Sequence, residues 1–252
     1  MELVSACQDC GFDHIQLALL PLLQQSAWSG CGEFLRDSGI TVLSGMFEAS
    51  GEDYSTLETI AKTGGLRKDS MWSSTEENAI QVADIATQMQ IPLVTFHAGF
   101  IPEDDCIERT TMLNRLRTLA DIFGSSGIKL GLETGQERAK NVVCLLEELS
   151  HPLLGVNFDP ANMILYGRGN PLEAIQMLAP WVMQVHIKDA IPSKTKGEWG
   201  TEVPVGEGEV DWLTFLKCVP DEVNLVIERE SGEDRVQDIQ RAKKMLERID
   251  VC

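Results

Sequence analysis

Short apolar runs alternate with amphipathic stretches along the whole chain. The runs are bounded by Gly, Pro or charged residues, a pattern that is typical of strands buried in a parallel sheet. They lie at 14–19, 39–47, 92–97, 127–133, 154–159, 182–189 and 224–230. Residues 75–90 and 108–127 have helical periodicity instead, and the face predicted to pack on the sheet in the first of these comprises Ala79, Val82, Ala83, Ala86 and Met89. Strand and helix alternate throughout, which predicts a parallel α/β fold.

The length of the chain narrows this prediction to a barrel. Its 252 residues match the roughly 250 that are typical of a (β/α)8 TIM barrel, and no linker or change of composition divides them. We therefore predict one TIM-barrel domain over residues 1–252. Only seven strands are counted, so the first of the eight strands is predicted to be missing or atypical. Unpaired strand edges favour pairing between chains, which makes a homo-oligomer one expectation.

Two long segments between the predicted elements are candidates for substrate-binding loops. They are residues 48–72 and 190–212, and both contain Gly and charged residues that suit a lid. Barrel active sites are built from loops at the carboxyl ends of the strands, where such segments would lie. A solvated surface loop is the alternative for each of them.

Charge and composition limit the classes of partner. Acidic residues outnumber basic ones by 39 to 21, and the formal charge of −18 repels phosphodiester backbones, so no nucleic acid partner is expected. No apolar stretch approaches the ~18 residues of a membrane helix, and the first residues do not resemble a secretory signal. We therefore expect a cytoplasmic protein with no membrane association. The seven cysteines form no disulfide framework and are expected to be reduced.

Four of the apolar runs end in a residue that binds metal ions. Glu133 follows IKLGL, Asp159 follows GVNF, His186 follows VMQV, and Glu228 follows NLVI. Equivalent strand ends converge if the sheet closes or curls. Three carboxylates and one imidazole suit one divalent ion, namely Mn²⁺, Mg²⁺, Co²⁺ or Zn²⁺.

Each of these four residues also has a structural alternative. A carboxylate at a strand end is often the N-cap of the next helix, and a single histidine is often hydrogen-bonded in a core. Four such residues at one level of the sheet favour a metal site, because ionisable groups on buried strands are costly unless they are paired or coordinating.

Five longer motifs carry a resemblance to a known superfamily. They are LETG at 132–135, NFDPANMILYG at 157–167, VHIKD at 185–189, GEGEVDW at 206–212 and LVIERE at 225–230. In order and spacing they resemble the xylose isomerase-like TIM barrels, a group of sugar phosphate isomerases and epimerases that also contains endonuclease-IV-type proteins. The resemblance implies the same four metal ligands, with Glu133 and Glu228 also acting as the acid/base pair. It thus implies a divalent-metal-dependent isomerase or epimerase of a sugar or sugar phosphate, with proton transfer through a metal-stabilised enediolate.

Further residues near these motifs are predicted to contact a carbohydrate substrate. His97 ends the third strand, where the superfamily places a histidine that contacts substrate or a further metal. Lys188 should share the face of His186 and hold a hydroxyl or anionic group. Asn162 stands where the superfamily often has a histidine, and its amide would orient substrate hydroxyls. The remaining candidates are Asp189 and Glu207, the second of which reaches the site only if its loop folds inward. Glu230, two residues beyond Glu228 on an extended strand, points the same way and is predicted either to support the ligands or to be the ligand in place of Glu228.

Other functions remain open at this point. The same proton abstraction can expel a β-hydroxyl, which would make the protein a dehydratase on a keto-polyol. A sugar-binding barrel without turnover is the non-catalytic alternative. A trinuclear zinc endonuclease is disfavoured, because such a site needs several more histidines than the four in this chain and because the surface is acidic.

Overall fold

Nine strands lie within the described part of the chain. The computed structural model describes residues 2–195 and 197–249. The strands are β1 (His14–Ala18), β2 (Thr41–Met46), β3 (Leu93–Phe96), β4 (Lys129–Glu133), β5 (Leu154–Phe158), β6 (Val182–Ile187), β7 (Asp189–Ile191), β8 (Thr201–Val203) and β9 (Asn224–Ile227).

Seven of the strands form one sheet, in the order β1-β2-β3-β4-β5-β6-β9. The pairs are parallel, as in the registers of Val94 with Leu130 and of His186 with Val226. All seven lie inside the predicted runs, and the TIM-barrel fold class is confirmed. Within the described residues no eighth strand joins this sheet. Most runs extend one to three residues beyond the strands.

Eleven α-helices alternate with the strands over the described residues. They are α1 (Glu2–Cys10), α2 (Leu20–Gln24), α3 (Cys31–Asp37), α4 (Leu57–Thr63), α5 (Asp69–Gln88), α6 (Ile107–Gly124), α7 (Ala139–Leu149), α8 (Pro160–Leu165), α9 (Pro171–Leu178), α10 (Trp212–Leu216) and α11 (Arg235–Arg248). Short 3-10 turns lie at Ser26–Trp28 and Ala179–Trp181. Among the described residues no helix has both the length and the apolar character to cross a membrane.

Contacts between residues group the chain into two compact units, and the prediction of a single domain stays a prediction. The first unit runs to Leu132 and includes Leu149–Leu154. Its core contains the predicted face of α5, in which Ala79, Val82, Ala83 and Ala86 are buried, while Met89 caps the helix and is half-buried. The rings of Phe47, Phe96 and Phe123 pack against one another, with centroids 6.1 Å apart in two pairs.

The second unit comprises Glu133–Glu148 and the chain from Gly155 onward. Every residue of β5 is buried, as expected for a parallel strand that is covered on both faces. Phe158 at its end packs against Phe215 of α10, with ring centroids 5.6 Å apart. This core supports the strand ends that carry the four candidate ligands.

The two long segments contain more regular structure than the sequence indicates. The 48–72 segment includes α4, which begins with reciprocal hydrogen bonds between Thr56 and Thr59, and the first turn of α5. Over its described residues, the 190–212 segment includes β8, which pairs antiparallel with β7. Short elements with few apolar residues leave no clear periodicity, which is why both were predicted only as loops.

Candidate metal centre

Glu133, Asp159, His186 and Glu228 come together in the second unit. Glu133 is the last residue of β4, Asp159 follows β5, His186 is next to last in β6, and Glu228 follows β9. Each residue offers one ligand atom, and these atoms all lie within 4.8 Å of one another. The equivalent strand ends predicted from sequence therefore do converge.

The spacing of the donor atoms suits a single ion. His186 Nδ1 lies 3.4 Å from Glu133 Oε1, 3.5 Å from Asp159 Oδ2 and 3.3 Å from Glu228 Oε2. Four ligand atoms about 2.1 Å from an ion at the corners of a tetrahedron lie about 3.4 Å from one another. The set of oxygen and nitrogen donors suits Zn²⁺, Mn²⁺, Co²⁺ or Mg²⁺.

The two oxygens of Asp159 have different environments, and this difference fits a metal ligand. Oδ1 accepts a hydrogen bond of 2.9 Å from the backbone N–H of Asn162 and caps α8, as the structural alternative predicts. Oδ2 is buried and receives no hydrogen bond from the described residues. A buried carboxylate oxygen without a donor is costly, and a metal ion would satisfy it.

The carboxylates stabilise positive charge at the imidazole. Burial lowers the pKa of His186, but the charges of Glu228 and Glu133 outweigh it and hold that pKa well above its usual value. Burial raises the pKa of Glu228, but the charges of His186 and Lys188 outweigh it and hold that pKa well below the usual range. For Asp159, the effect of burial exceeds the opposing effect of the Lys188 and His186 charges, and the pKa is raised. A metal ion that binds here competes with the proton on His186.

The buried side-chain amides of Asn157 and Gln184 support the candidate ligands His186 and Glu133. Asn157 Nδ2 lies 3.1 Å from His186 Nε2 and donates a bond of 3.3 Å to Glu133 Oε2, while its Oδ1 accepts from Gln184 at 3.2 Å. Both amide residues are fully buried. Such contacts fix the ring and the carboxylate, and similar outer contacts tune metal affinity elsewhere.

Asn162 and Lys188 join the site from α8 and from the residue after β6. Asn162 Nδ2 donates a bond of 2.9 Å to Glu133 Oε1, and its Oδ1 accepts a bond of 3.4 Å from Lys188. The Lys188 ammonium is buried, lies 3.0 Å from Glu228 Oε2 and also pairs with Glu230. Both side chains therefore contact candidate ligands directly, and their contacts with substrate stay predictions.

Replacing Gly135 with alanine is expected to weaken metal binding about 10- to 100-fold. Gly135 has φ +138°, and an added Cβ would lie 2.4 Å from the Cβ of Asn162. The methyl group would push Asn162 away from Glu133, and the loss of such an outer contact typically costs about 10- to 100-fold in affinity. Competition with a chromophoric chelator measures the change.

Gly169→Ala is the matched control for this variant. Gly169 has a similar positive φ, of +130°, but the nearest atom to an added Cβ there is Met163 Cε, at the ordinary contact distance of 3.8 Å. It therefore carries a similar backbone strain without a collision with Asn162. Equal metal affinities of the two variants would show that Asn162 is not needed to hold Glu133.

The structure places Asp189 and Glu207 away from direct contact with the four candidate ligands. Asp189 is fully buried, and its carboxylate accepts hydrogen bonds from the backbone N–H groups of Ala190, Gly206 and Val210 and from the indole of Trp212. It thereby organises the segment after β6.

Glu207 lies in a turn of that segment and pairs with Arg241 at 3.5 Å, with both side chains 58% exposed. The roles of Asp189 and Glu207 in substrate binding stay predictions.

His97 lies in the first unit, directly after β3, beside a carboxylate that sequence reasoning missed. Burial raises the pKa of Glu52, and the charge of His97 opposes that rise. Glu52 Oε1 accepts a bond of 2.7 Å from the backbone N–H of Gly65. Gly65 in turn packs so closely on Ala98 that a Cβ would lie 2.1 Å from the Ala98 carbonyl. The 48–72 segment is thus fixed at this point against the residues after β3.

Comparisons with known proteins agree with this architecture. A family model described as "Xylose isomerase-like TIM barrel" matches residues 4–250. A crystal structure of a xylose isomerase domain protein from Planctomyces limnophilus has a TM-score of 0.88 and 30% identity, and the match covers 98% of this chain and 90% of that one. The probable 3-DHS dehydratase AsbF from Bacillus anthracis has a TM-score of 0.75 and 20% identity, covering 98% and 92%.

One further match has a lower sequence identity, and another covers only part of the chain. D-psicose 3-epimerase from Clostridium cellulolyticum H10 has a TM-score of 0.73 at 13% identity, covering 100% of this chain and 93% of that one. At such identities this epimerase and the dehydratase share the fold alone. The uncharacterized protein YihM of Escherichia coli K12 is 31% identical over 114 residues, which are 43% of this chain and only 35% of that relative. Because the family model matches almost the full length, the chain belongs to the xylose isomerase-like TIM-barrel family.

Proposed function

We propose that this protein is a divalent-metal-dependent isomerase or epimerase of a small carbohydrate. The observation that carries the proposal is the placement of Glu133 and Glu228 around one histidine nitrogen, at 3.4 and 3.3 Å. Their strands, β4 and β9, are separated in the sheet by β5 and β6. The two carboxylates therefore approach the centre from different strands, as an acid/base pair acting on two sides of a carbon atom requires.

The side chains around the centre suit proton transfer next to a carbonyl group. Glu133, Asp159, His186 and Glu228 would hold a divalent ion, which would polarise a carbonyl and an adjacent hydroxyl of the substrate and make the carbon-bound proton more acidic. Glu228, which lies 3.0 Å from the Lys188 ammonium, is the carboxylate that accepts this proton. Glu133, protonated from the solvent while the substrate is bound, gives its proton to the same or the neighbouring carbon, and Glu228 releases the accepted proton to the solvent. Asn162 and Lys188 keep the two carboxylates in position.

The family supports an enzyme of this general kind. The proteins that share its fold include the D-psicose 3-epimerase, whose barrel matches this chain over nearly the full length. The four candidate ligands are all present and include both glutamates of the proposed acid/base pair, so the chain has the groups that the reaction needs.

The test is metal-dependent exchange of carbon-bound protons with the solvent. Wild-type protein loaded in turn with Mn²⁺, Mg²⁺, Co²⁺ and Zn²⁺ is incubated in D₂O with a panel of ketoses, and deuterium at the carbon next to the carbonyl is measured by NMR. We expect exchange with at least one ion, and Glu228→Gln should lower the rate by at least about 100-fold while the fold is retained. No exchange with any ion or ketose would contradict the proposal.

A dehydratase is the second candidate, and the fold shared with the probable 3-DHS dehydratase favours keeping it. Removal of the same proton next to a carbon that carries a β-hydroxyl eliminates water instead of returning the proton. The departing hydroxyl takes a proton from Glu133, and the enol that remains becomes a deoxy-dicarbonyl compound by taking up deuterium from D₂O. The NMR spectra from the exchange assay separate the two reactions, because elimination replaces a CHOH group with a CHD group. A deoxy-dicarbonyl product with no deuterated ketose would replace the isomerase with a dehydratase.

A further inference from the structure

A buried amide oxygen near the candidate ligands receives no hydrogen bond from the protein. Gln136 follows Glu133 by three residues and is only 2% exposed. Its Nε2 donates a bond of 3.4 Å to the Tyr166 hydroxyl. Its Oε1 is buried, and no donor in the described part of the chain reaches it. Buried polar atoms are nearly always paired, so this oxygen indicates a ligand that brings a donor.

The Tyr166 hydroxyl lies close to the charged groups of the centre. Burial raises the pKa of Tyr166, and the charges of Glu133, Lys188 and Glu230 also act on its hydroxyl. The phenol therefore stays protonated and can donate a hydrogen bond while it accepts one from Gln136. The ring of Trp199 packs on it edge to face, with centroids 4.7 Å apart, and fixes its direction.

Gln136 lies near the candidate metal centre because its neighbour in sequence, Gly135, packs against Asn162. The backbone at Gly135 approaches Asn162 so closely that a Cβ would lie 2.4 Å from the Cβ of Asn162. Asn162 in turn bonds both Glu133 and Lys188. Gln136 therefore directly follows the backbone that packs against Asn162, and its partner Tyr166 interacts electrostatically with Glu133 and Lys188.

The charge of the centre selects against an anionic ligand. Lys188 Nζ lies within 4 Å of the carboxylates of Asp159, Glu228 and Glu230, and Glu133 is the fourth carboxylate at the site. Among the described residues, the four ionised carboxylates, this ammonium group and a bound divalent ion sum to a charge of −1 when the His186 imidazole is neutral, as a ligand must be. A phosphate dianion would be repelled here, whereas a neutral hydroxyl group would not.

We propose that Gln136 and Tyr166 form a subsite for one hydroxyl group of a neutral, polyhydroxylated substrate. The hydroxyl donates its proton to Gln136 Oε1 and accepts from the Tyr166 hydroxyl, so both partners are satisfied. The inference rests on the proposed function, since it assigns the substrate class of the same site: unphosphorylated ketoses and cyclic polyols rather than sugar phosphates.

Direct binding of polyols tests this subsite without turnover. Polyols lack a carbonyl group, so xylitol, sorbitol, myo-inositol and sorbitol 6-phosphate can be titrated calorimetrically into the Mn²⁺-loaded protein. We expect at least one neutral polyol to bind, and sorbitol 6-phosphate to bind at least about 10-fold more weakly than sorbitol. Gln136→Met, which keeps length but removes the amide, should weaken neutral polyol binding about 10- to 100-fold.

Two controls separate a direct contact from a structural effect. Gln176→Met makes the same change on the exposed face of α9 and should leave binding unchanged. Among the monodeoxy derivatives of the bound polyol, one should bind wild type and Gln136→Met equally, because it lacks the contacted hydroxyl. Tyr166→Phe provides an independent variant if Gln136→Met fails to fold, and it should show the same dependence on that hydroxyl.

The possible outcomes are distinct for the subsite and for the proposed function. Equal binding of neutral polyols by wild type and Gln136→Met, tighter binding of the phosphate, or no binding of any neutral polyol would overturn the subsite. Exchange activity that persists in that case leaves the isomerase intact. Polyol binding that depends on Gln136, in a protein with no exchange activity, would support the subsite and contradict the isomerase.

Discussion

Replacing His186 with alanine is expected to abolish tight metal binding and, with it, all metal-dependent exchange activity. His186 is fully buried, and its Nδ1 is the nitrogen donor around which the carboxylate oxygens of Glu133, Asp159 and Glu228 lie at 3.3 to 3.5 Å. Its loss removes one of four ligands and leaves three carboxylates facing one another without their central positive charge. We expect a loss of affinity of more than about 100-fold, since even outer contacts cost about 10- to 100-fold. Elemental analysis after dialysis gives the metal content.

His14→Ala is the matched control for that variant. His14 lies at the start of β1 with its side chain 47% exposed, and it pairs with the neighbouring Asp13. It should bind metal like the wild type. His186→Gln keeps a polar group at the site and serves if the alanine variant does not fold. A folded variant at position 186 that retains one tightly bound ion per chain would show that the four residues are not the metal site.

The fold could be predicted because its strands are encoded locally. In β5 all five residues are buried, and in β3 all four, so each leaves a continuous apolar run in the sequence. The pair β7 and β8 could not be found in this way, since each has three residues and is held largely by contacts distant in sequence. Asp189 is the main such contact, and its four donors come from residues up to 23 positions away.

The candidate ligands were predictable because they lie at the ends of strands that are encoded locally. The buried amides that contact them could also have been predicted. Asn157 and Gln184 are polar residues inside buried strands, two positions before Asp159 and His186. Because side chains alternate along a strand, each faces the same side as the ligand that follows it. A polar residue at that spacing in an otherwise apolar run was a usable signal, and it points to the amide pair behind His186.

The contacts between loops were not predictable from any local pattern. Gln136 meets Tyr166 only because the loop after β4 packs against α8, and nothing in the spacing of 30 residues indicates it. Likewise Glu52 is fixed by the backbone of Gly65, whose close approach to Ala98 depends on the conformation of both loops. Such pairs depend on the folded conformation of two loops, whereas the candidate ligands follow from the strand ends.

Replacing Arg229 with methionine is expected to cost about 3 kcal/mol of the free energy of unfolding. Arg229 lies between Glu228 and Glu230, and its guanidinium contacts Glu202 and Asp238 at 2.8 Å, with all three of these paired side chains no more than 8% exposed. Removing one partner leaves buried carboxylates uncompensated, which typically costs about 3–5 kcal/mol. We expect the lower end because Asp238 also pairs with Arg241. Urea unfolding gives the change in midpoint and slope.

Arg241→Met is the control that separates the effect of burial from the effect of an ion pair with Asp238. Both arginines contact Asp238, but the Arg241 side chain is 58% exposed, so its removal should cost less than about 1 kcal/mol. Arg229 also affects the chain next to the candidate metal centre. Its partner Glu202 accepts hydrogen bonds from the backbone N–H groups of Glu230 and Ser231. Arg229 thereby fixes the chain directly after Glu228, and Arg229→Met should also weaken metal binding. If the two variants lose equal stability, the buried cluster does not stabilise this end of β9.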